Sequence, residues 1–353
     1  MIPLEEAQAR LLALAAPLPL EEVSLSQGLG RVLARPVRAA RAQPTFDAAA
    51  MDGYAVTAQP AAGEWLQVVG TSRAGAAHDG VLQPGQAARI FTGAPVPEGA
   101  SRVILQEDVT RDGDRITFTG RAEAAIHIRP RGADFGQGQL FDAPRRLDGV
   151  ALSLLAAMGC DRLQVASAPR VAIIPTGDEL VLPGGDPGPD QIICTNHLAI
   201  RAMAQAEGAL VRVLPIARDT EESLGRMMDL ARDADIIVTI GGASVGDHDH
   251  VARVTAARGM VPVFHKVALR PGKPALAGRM GDQLLIGLPG NPVSAMVCAR
   301  LFLRPVLRAL QGLPSRSSAT APAGWAAMSA RTGRGRITCA PASIRSGPMA
   351  CRC

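Results

Sequence analysis

The chain's only two lysines, Lys266 and Lys273, flank Arg270 in the stretch Phe264-His-Lys-Val-Ala-Leu-Arg-Pro-Gly-Lys-Pro274. Three cations within eight residues beside a Pro-Gly turn suit an oxyanion such as phosphate or molybdate. The plain alternative is an exposed loop with ordinary charges. Against it stands the usage: 2 of 37 basic residues are Lys, and both sit here. A compact, strongly hydrated charge is wanted at these two places.

Three further loops carry candidate chemistry. In Thr239-Ile-Gly-Gly-Ala-Ser-Val-Gly-Asp-His-Asp249, Gly241, Gly242 and Gly246 allow backbone amides and Ser244 to approach an anion ahead of a helix. Asp247 and Asp249 could hold Mg²⁺ between ligand phosphates. The loop is neither a P-loop nor a GxGxxG, and it reads equally as a glycine-rich turn whose acids cap a helix. Leu288-Pro-Gly-Asn-Pro-Val-Ser294 makes a tight turn, puts Pro292 at the first helical position and Ser294 in the first turn, near free amides. Pro175-Thr-Gly-Asp-Glu179 places Asp178 and Glu179 after a strand, for capping or for a metal or hydroxyl contact. Asp219 reads first as an N-cap and second as a site residue. In the first half, Asp52-Gly53 is ordinarily a hairpin signal, and Asp52 and Thr92 read from physics alone as turn formers. His197, His248 and His250 have no companion Cys and no helical H-E-x-x-H arrangement, so they read as structural and not as zinc ligands.

The elements that must position these loops follow from periodicity. Residues 3–16 form an amphipathic helix stopped by Pro17 and Pro19. From Pro44 to about Gly138, short alternating runs such as Trp65–Val69, Ala88–Phe91 and Val103–Leu105 lie among Gly and Pro, the pattern of a small β domain. A helix is expected over 147–158. From Arg170 on, apolar strands alternate with helices over 195–206, 220–232, up to Arg258, and 292–310. The fold class is therefore α/β, multidomain, with a doubly wound, mostly parallel sheet covered on both faces. Ligands of such sheets bind at the strands' carboxyl ends. The loops 176–179, 241–249 and 289–294 should cluster there.

The net charge of +5 suggests a nucleic-acid or membrane partner, but its placement argues otherwise. Residues 315–353 hold six Arg and no acid, leaving 31 basic against 32 acidic residues before them. The body is neutral and presents no basic face. The N-terminus has no basic region ahead of an apolar stretch, and no apolar run approaches the ~18–20 residues of a membrane span. Cys160, Cys194 and Cys298 are isolated, and Cys339, Cys351 and Cys353 add only a C-x-C. A reducing, cytoplasmic setting without disulfides or zinc is expected.

Eight segments, DAAAMDGYAV, RIFTGAPVPEGASRVILQED, IRPRGADFGQGQ, IIPTGDEL, ICTNHLAI, TIGGASVGDHDHV, KVALRPGKPALAG and LIGLPGNPVSAMV, together resemble the molybdopterin molybdotransferase family. That family comprises MoeA in bacteria and the E domain of gephyrin and its plant counterpart. The segments keep the family's order, and the resemblance covers roughly residues 3–313.

The resemblance implies a Mg²⁺-dependent transferase of molybdenum cofactor synthesis. It would take adenylylated molybdopterin and molybdate, insert the metal into the dithiolene and release AMP. It implies a linking domain at 19–40 and 140–168, a β domain at 41–139, and a MogA-like doubly wound domain at 169–312 joined by helix 3–17. It also implies a homodimer, with the cleft between that domain of one subunit and the β domain of the other. By the resemblance, Glu179, Asp219 and Asp249 form the acidic set for Mg²⁺ and the pterin nucleotide. Lys266, Arg270, Lys273 and Ser294 bind molybdate and phosphate, the loop Gly241, Gly242, Ser244 and Gly246 binds substrate, and Asp52, Thr92 and Asp134 reach the cleft from the β domain. The upstream molybdopterin adenylyltransferase and molybdoenzyme apoproteins are further partners it admits. Arg270 stands where Lys is familiar, exchanging a point charge for a planar fork, and Asp247 stands where Glu is often seen.

The family's fourth domain, a small β barrel, has no counterpart in residues 315–353. Read one base out of register, Arg336–Arg345 can encode Asp-Tyr-Leu-Arg-Ala-Arg, a run typical of that domain. The expectation is an out-of-frame, disordered tail that weakens activity, with a divergent terminus as the alternative. A non-catalytic pterin-nucleotide-binding module or scaffold is the competing function. The upstream adenylyltransferase itself is disfavoured by the β domain with its MDGYAV.

Overall fold

The computed structural model describes residues 1–121, 124–242 and 250–315. The expectations for Ser244, Gly246, Asp247, His248, Asp249 and the tail fall outside the described residues.

Helix α1 (Leu4–Leu12) leads the chain. It is shorter than the 3–16 expected: Leu14 and Ala15 donate back three residues, to Leu11 and Leu12. The last turn thus tightens and ends ahead of Pro17. Strands Leu20–Ser24 and Val32–Leu33 then pair with Arg162–Ala166 and Arg145–Arg146, from the far side of the β region, in one four-stranded sheet. Helix α2 (Gly149–Ala157) packs on this sheet, capped by Asp148, whose carboxylate accepts from Ala151 N–H at 2.8 Å. Leu33, Leu155, Leu163 and Val165 are its buried centre.

Between these halves lies a six-stranded sheet in the order Arg102–Leu105, Gly53–Val56, Gln86–Ile90, Trp65–Ser72, Arg115–Phe118, Val109–Asp112. The Asp52-Gly53 hairpin signal is overruled. Gly53 opens a strand sandwiched between two others, and a Cβ on it would come within 1.9 Å of Ile104 O. Glycine is required there by close backbone approach, not by a turn.

The second six-stranded sheet runs Leu210–Val213, Arg170–Pro175, Ile236–Ile240, Gln283–Leu288, Leu276–Met280, Val261–His265. The first four strands are parallel and the last two close it as an antiparallel edge. Successive side chains alternate faces. Val171 and Ile173 meet α1, α3 (Asn196–Ala206) and the C-terminal helices, whereas Ala172 and Ile174 meet α4 (Glu221–Leu230) and α5 (His250–Ala257). The expectation of a sheet covered on both faces is met.

Thr220 caps α4, its hydroxyl accepting from Ser223 N–H at 3.1 Å. The N-cap assigned to Asp219 is therefore corrected by one residue, which leaves the Asp219 side chain uncommitted to the helix. The expected 292–310 helix is α6 (Pro292–Cys298), a π-turn over Ala299–Leu303, and α7 (Arg304–Leu310). Pro305 has no N–H to give and crowds the carbonyl four residues back, and the wider π register absorbs both. Among the described residues no helix is long and apolar enough to cross a membrane.

Candidate active site

Parallel pairing brings three strand ends together. Thr176 N–H donates to Ile240 O at 2.9 Å, and Gly241 N–H to Leu288 O at 3.0 Å. Gly241 and Gly242 both have positive φ, +94° and +65°. A Cβ on Gly241 would come within 2.6 Å of Thr176 O, and one on Gly242 within 2.8 Å of Thr176 Oγ1. Only glycine fits this double constraint. A Cβ on Gly290 would lie 3.6 Å from Gly241 Cα, and Asn196 Nδ2 donates to Gly290 O at 2.6 Å. The loops 176–179 and 289–294 thus converge on Gly241 and Gly242 as expected.

The acidic arm joins the first of these strand ends to the segment that follows the neighbouring strand Leu210–Val213. Gly177 N–H donates to Ala217 O at 3.1 Å, and Asp219 N–H to the Asp178 carboxylate at 3.2 Å. Glu179 folds back over Gly177, where a Cβ would stand 2.3 Å from Glu179 Oε2. Glu179 and Asp219 are exposed, and among the described residues neither carboxylate is in an ion pair. These are hard oxygen donors without a closed ligand cage. Among the described residues no three such donors gather into a metal site, so the chemistry of these carboxylates suits Mg²⁺ only when substrate phosphates supply further oxygens.

The cationic arm is a tight loop. Lys266 N–H donates to Ala275 O and Val267 N–H to Lys273 O, each at 3.0 Å, so the backbone brings the two lysines to the two sides of one closed loop. Lys266 has φ +69°, the left-handed region seldom entered by a residue with a Cβ. It is half-buried, whereas Arg270 and Lys273 are exposed. Ala268 N–H donates to Ile2 O at 2.8 Å, tying the start of the chain to this loop. Behind it, Gly272 rests on Cys298 of α6, whose Sγ lies 3.7 Å from Gly272 O. Burial pushes the Cys298 thiol up to about 12. The same helix begins at Asn291, whose Oδ1 accepts from Ser294 N–H at 3.1 Å and from the Ser294 hydroxyl at 3.3 Å. Ser294 is 8% exposed, turned toward its own cap.

In the β domain, Asp52 accepts from both Thr92 N–H and Thr92 Oγ1 at 2.7 Å. These bonds, the hydroxyl's first, hold its carboxyl below the usual range, with Arg89 adding to them. Arg89 lies between the Tyr54 and Phe91 rings, 5.1 and 4.7 Å from their centroids, and donates to Gly53 O at 3.0 Å. Asp134 pairs with Arg129. Among the described residues no hydrogen bond or ion pair links Asp52, Thr92 or Asp134 to the loops of the doubly wound domain.

Four contributors were not visible as such in the sequence. Asn196 and Cys298 fix the loops of Gly290 and Gly272. Arg218 bonds the Gly177–Leu180 turn. The reading of His197 as lacking a companion Cys is corrected: Cys194 Sγ lies 3.2 Å from His197 Nδ1 and both are buried. Burial lowers the His197 basicity, with Arg201 second, and raises the Cys194 thiol, with Glu179 second. The C-x-x-H spacing across the start of α3 was the available signal. A separate cavity of about 660 Å³ opens at the opposite strand edge, lined by Leu18, Arg31, Arg170, Leu210 and Asp235 among others. It contains none of the residues singled out above.

Residues 2–159 match the family model "MoeA N-terminal region (domain I and II)", and residues 172–309 match "Probable molybdopterin binding domain". The chain belongs to the MoeA family. A molybdopterin molybdenumtransferase of Nostoc sp. is 37% identical over 307 residues, covering 83% of this chain and 70% of the relative. The enzyme of the same name from Haemophilus influenzae is 34% identical over 317 residues, covering 88% and 78%. A MoeA crystal structure from Pyrococcus horikoshii superposes with a TM-score of 0.74 at 33% identity, over 88% of this chain and 80% of that one. The MoeA fold, with its MogA-like domain, is thus the frame in which these loops sit.

Proposed function

We propose that this chain is the transferase that inserts molybdenum into adenylylated molybdopterin and releases AMP. As a member of the MoeA family it is a transferase of molybdenum cofactor biosynthesis. The observation that carries the finer reading is the convergence of an acidic arm and a glycine-lined turn, with a cationic arm braced on α6, whose first turn belongs to the same loop cluster.

Lys266, Arg270 and Lys273 hold molybdate and the phosphoanhydride as neighbouring anions. Gly241 and Gly242, packed on Thr176 where a Cβ would not fit, shape the turn, and the Gly242 amide is the one offered to the phosphates, the Gly241 amide being bonded to Leu288 O. Glu179 and Asp219, with Asp249, would hold Mg²⁺, which when bound offsets the charge that develops on the phosphates. Asp178 fixes the backbone of Asp219 and so orients this set. Holding both substrates in one geometry supplies much of the acceleration. A water or a molybdate oxygen bonds to the AMP phosphorus as the anhydride P–O bond breaks, so AMP leaves with that oxygen and molybdopterin keeps its own phosphate. The two dithiolene thiols take the place of molybdate oxygen on molybdenum, and the displaced oxygen leaves as water with the thiol protons. No side-chain nucleophile is required.

Asp52, Thr92 and Asp134 act on the cleft of the other subunit in a homodimer. Co-expressing Asp52→Asn and Lys273→Ala chains tests this. Mixed dimers should recover about a quarter to a half of wild-type activity, although each variant alone is inactive. Absence of recovery, with mixed dimers demonstrated, would sink the shared cleft. The cytoplasm supplies the reducing conditions that a dithiolene substrate needs, so that is the proposed location.

A further inference from the structure

We infer that Arg218 is a positioning residue for the acidic arm. The inference rests on the reading of Glu179 and Asp219 as the metal and nucleotide set. It concerns a side chain that contacts neither carboxylate.

Arg218 Nη1 lies 3.1 Å from Asp178 O and 3.4 Å from both Gly177 O and Leu180 O. These carbonyls belong to one turn, the turn from which Glu179 projects. Its backbone is held in turn, with Arg218 N–H donating to Ser223 Oγ at 2.9 Å. The next residue, Asp219, donates its N–H to Asp178. One guanidinium therefore collects three carbonyls that the sheet does not use, at the point where two strand ends part. Without it the turn keeps, across to the Arg218 segment, Ala217 N–H to Pro175 O, Gly177 N–H to Ala217 O and the bond from Asp219 N–H to the Asp178 side chain, and on its other side Ile192 N–H to Glu179 O. Among the described residues only Arg218 gathers the carbonyls of 177, 178 and 180 together. A carboxylate folded back into the space a Cβ on Gly177 would need is sensitive to small shifts of that turn. All three acceptors converge on one nitrogen, Nη1, which stands one bond farther from the backbone than a lysine ammonium does, so lysine at this position falls short of them unless the turn moves. Groups that orient metal-binding side chains from behind typically matter about 10-fold to 100-fold in affinity.

The test uses the full chain with Mn²⁺ and ADP, read by electron paramagnetic resonance, so that binding is measured without turnover. Arg218→Lys keeps the charge, and Arg218→Gln removes it. Arg212→Lys serves as a control, since Arg212 bonds Leu230 O and Asp233 at the other end of the same segment. Glu179→Gln tests the underlying reading. Wild type and Arg212→Lys should bind alike, and Glu179→Gln should lose binding. Both Arg218 variants should weaken Mn²⁺–ADP about 10-fold, with the KM for Mg²⁺ raised in proportion and kcat restored at saturating Mg²⁺. A fold defect alone would lower kcat and leave that KM unchanged. If Glu179→Gln loses binding while Arg218→Lys and Arg218→Gln retain it, the positioning role is overturned and the metal reading stands. If Glu179→Gln binds like wild type, both fail. Should Arg218→Gln not fold, Arg218→Lys decides alone.

Discussion

The Asp52 carboxylate receives two hydrogen bonds from a single residue, the Thr92 hydroxyl and the Thr92 N–H, each at 2.7 Å. A carboxylate so held is favoured in its charged form. Its lowered pKa means the associated stability is present above the ordinary value near 3.8 and is lost as pH falls through the folded value. Thr92→Val should move the Asp52 titration upward, and Thr92→Ser should leave it in place, both read by carbon NMR of the carboxyl. Activity should fall about 10-fold or more in Thr92→Val, because the carboxylate that we propose acts in the shared cleft is no longer fixed by Thr92.

Gly272 and Cys298 form a steric lock behind the cations. Gly272 has φ +123°, and a Cβ there would lie 2.6 Å from Cys298 Sγ. Gly272→Ala should destabilise the protein by about 2–4 kcal/mol, measured by urea unfolding. Adding Cys298→Ala should return part of that loss, and the non-additivity gives the coupling. The Cys298 thiol, with its raised pKa, is stabilised neutral in the fold. Its contribution is complete below about 9 and is lost as pH rises toward about 12. It should resist alkylation in the native state at pH 8.

Glu207 joins the linking sheet to the doubly wound domain. Its side chain is 9% exposed and is bonded by Arg146 at 3.3 Å, by Arg304 at 2.5 Å and, more distantly, by Arg308 at 3.6 Å. Burial depresses the Arg146 pKa and Glu207 opposes it. Removing the acid leaves three crowded guanidinium groups. Glu207→Ala should cost about 3–5 kcal/mol, partly restored by added salt, whereas Arg146→Ala should cost less. Denaturant titrations at two ionic strengths separate these outcomes.

Thr220 and Asp219 divide labour at one helix start. Thr220→Ala should lower stability by about 1 kcal/mol and leave the Mg²⁺ dependence of activity unchanged. Asp219→Asn should do the reverse, keeping the melting temperature and raising the Mg²⁺ requirement. If Asp219→Asn melted early with ordinary Mg²⁺ dependence, the side chain would be structural.

The doubly wound sheet was legible because its strands are continuous apolar runs and its loops are marked by Gly-Gly, Pro-Gly and Pro-Gly-Asn-Pro. The lysine pair stood out by composition alone. The clustering of the loops at one sheet edge followed from the topology, but the contacts of particular side chains with distant backbone escaped. Arg218 looks like any arginine before a helix until three carbonyls meet it. Cys298 is an ordinary helix residue until Gly272 leans on it. The positive φ of Lys266 has no local signal, since lysine does not favour it. Asp52-Gly53 misled because a turn dipeptide and a close-packed strand both call for glycine. The slip from Thr220 to Asp219 reflects two adjacent residues that can both cap, of which aspartate is the more preferred type.

The central claim is that the cationic and acidic arms act together on adenylylated molybdopterin. The most direct measurement supplies the purified chain with that nucleotide, molybdate and Mg²⁺, and follows AMP release alongside molybdenum retained on the pterin. The account predicts AMP and molybdenum cofactor in equal amounts, both abolished in Lys273→Ala and in Glu179→Gln. Tight nucleotide binding without molybdate-dependent AMP release would contradict it, and would leave a binding module in place of a transferase.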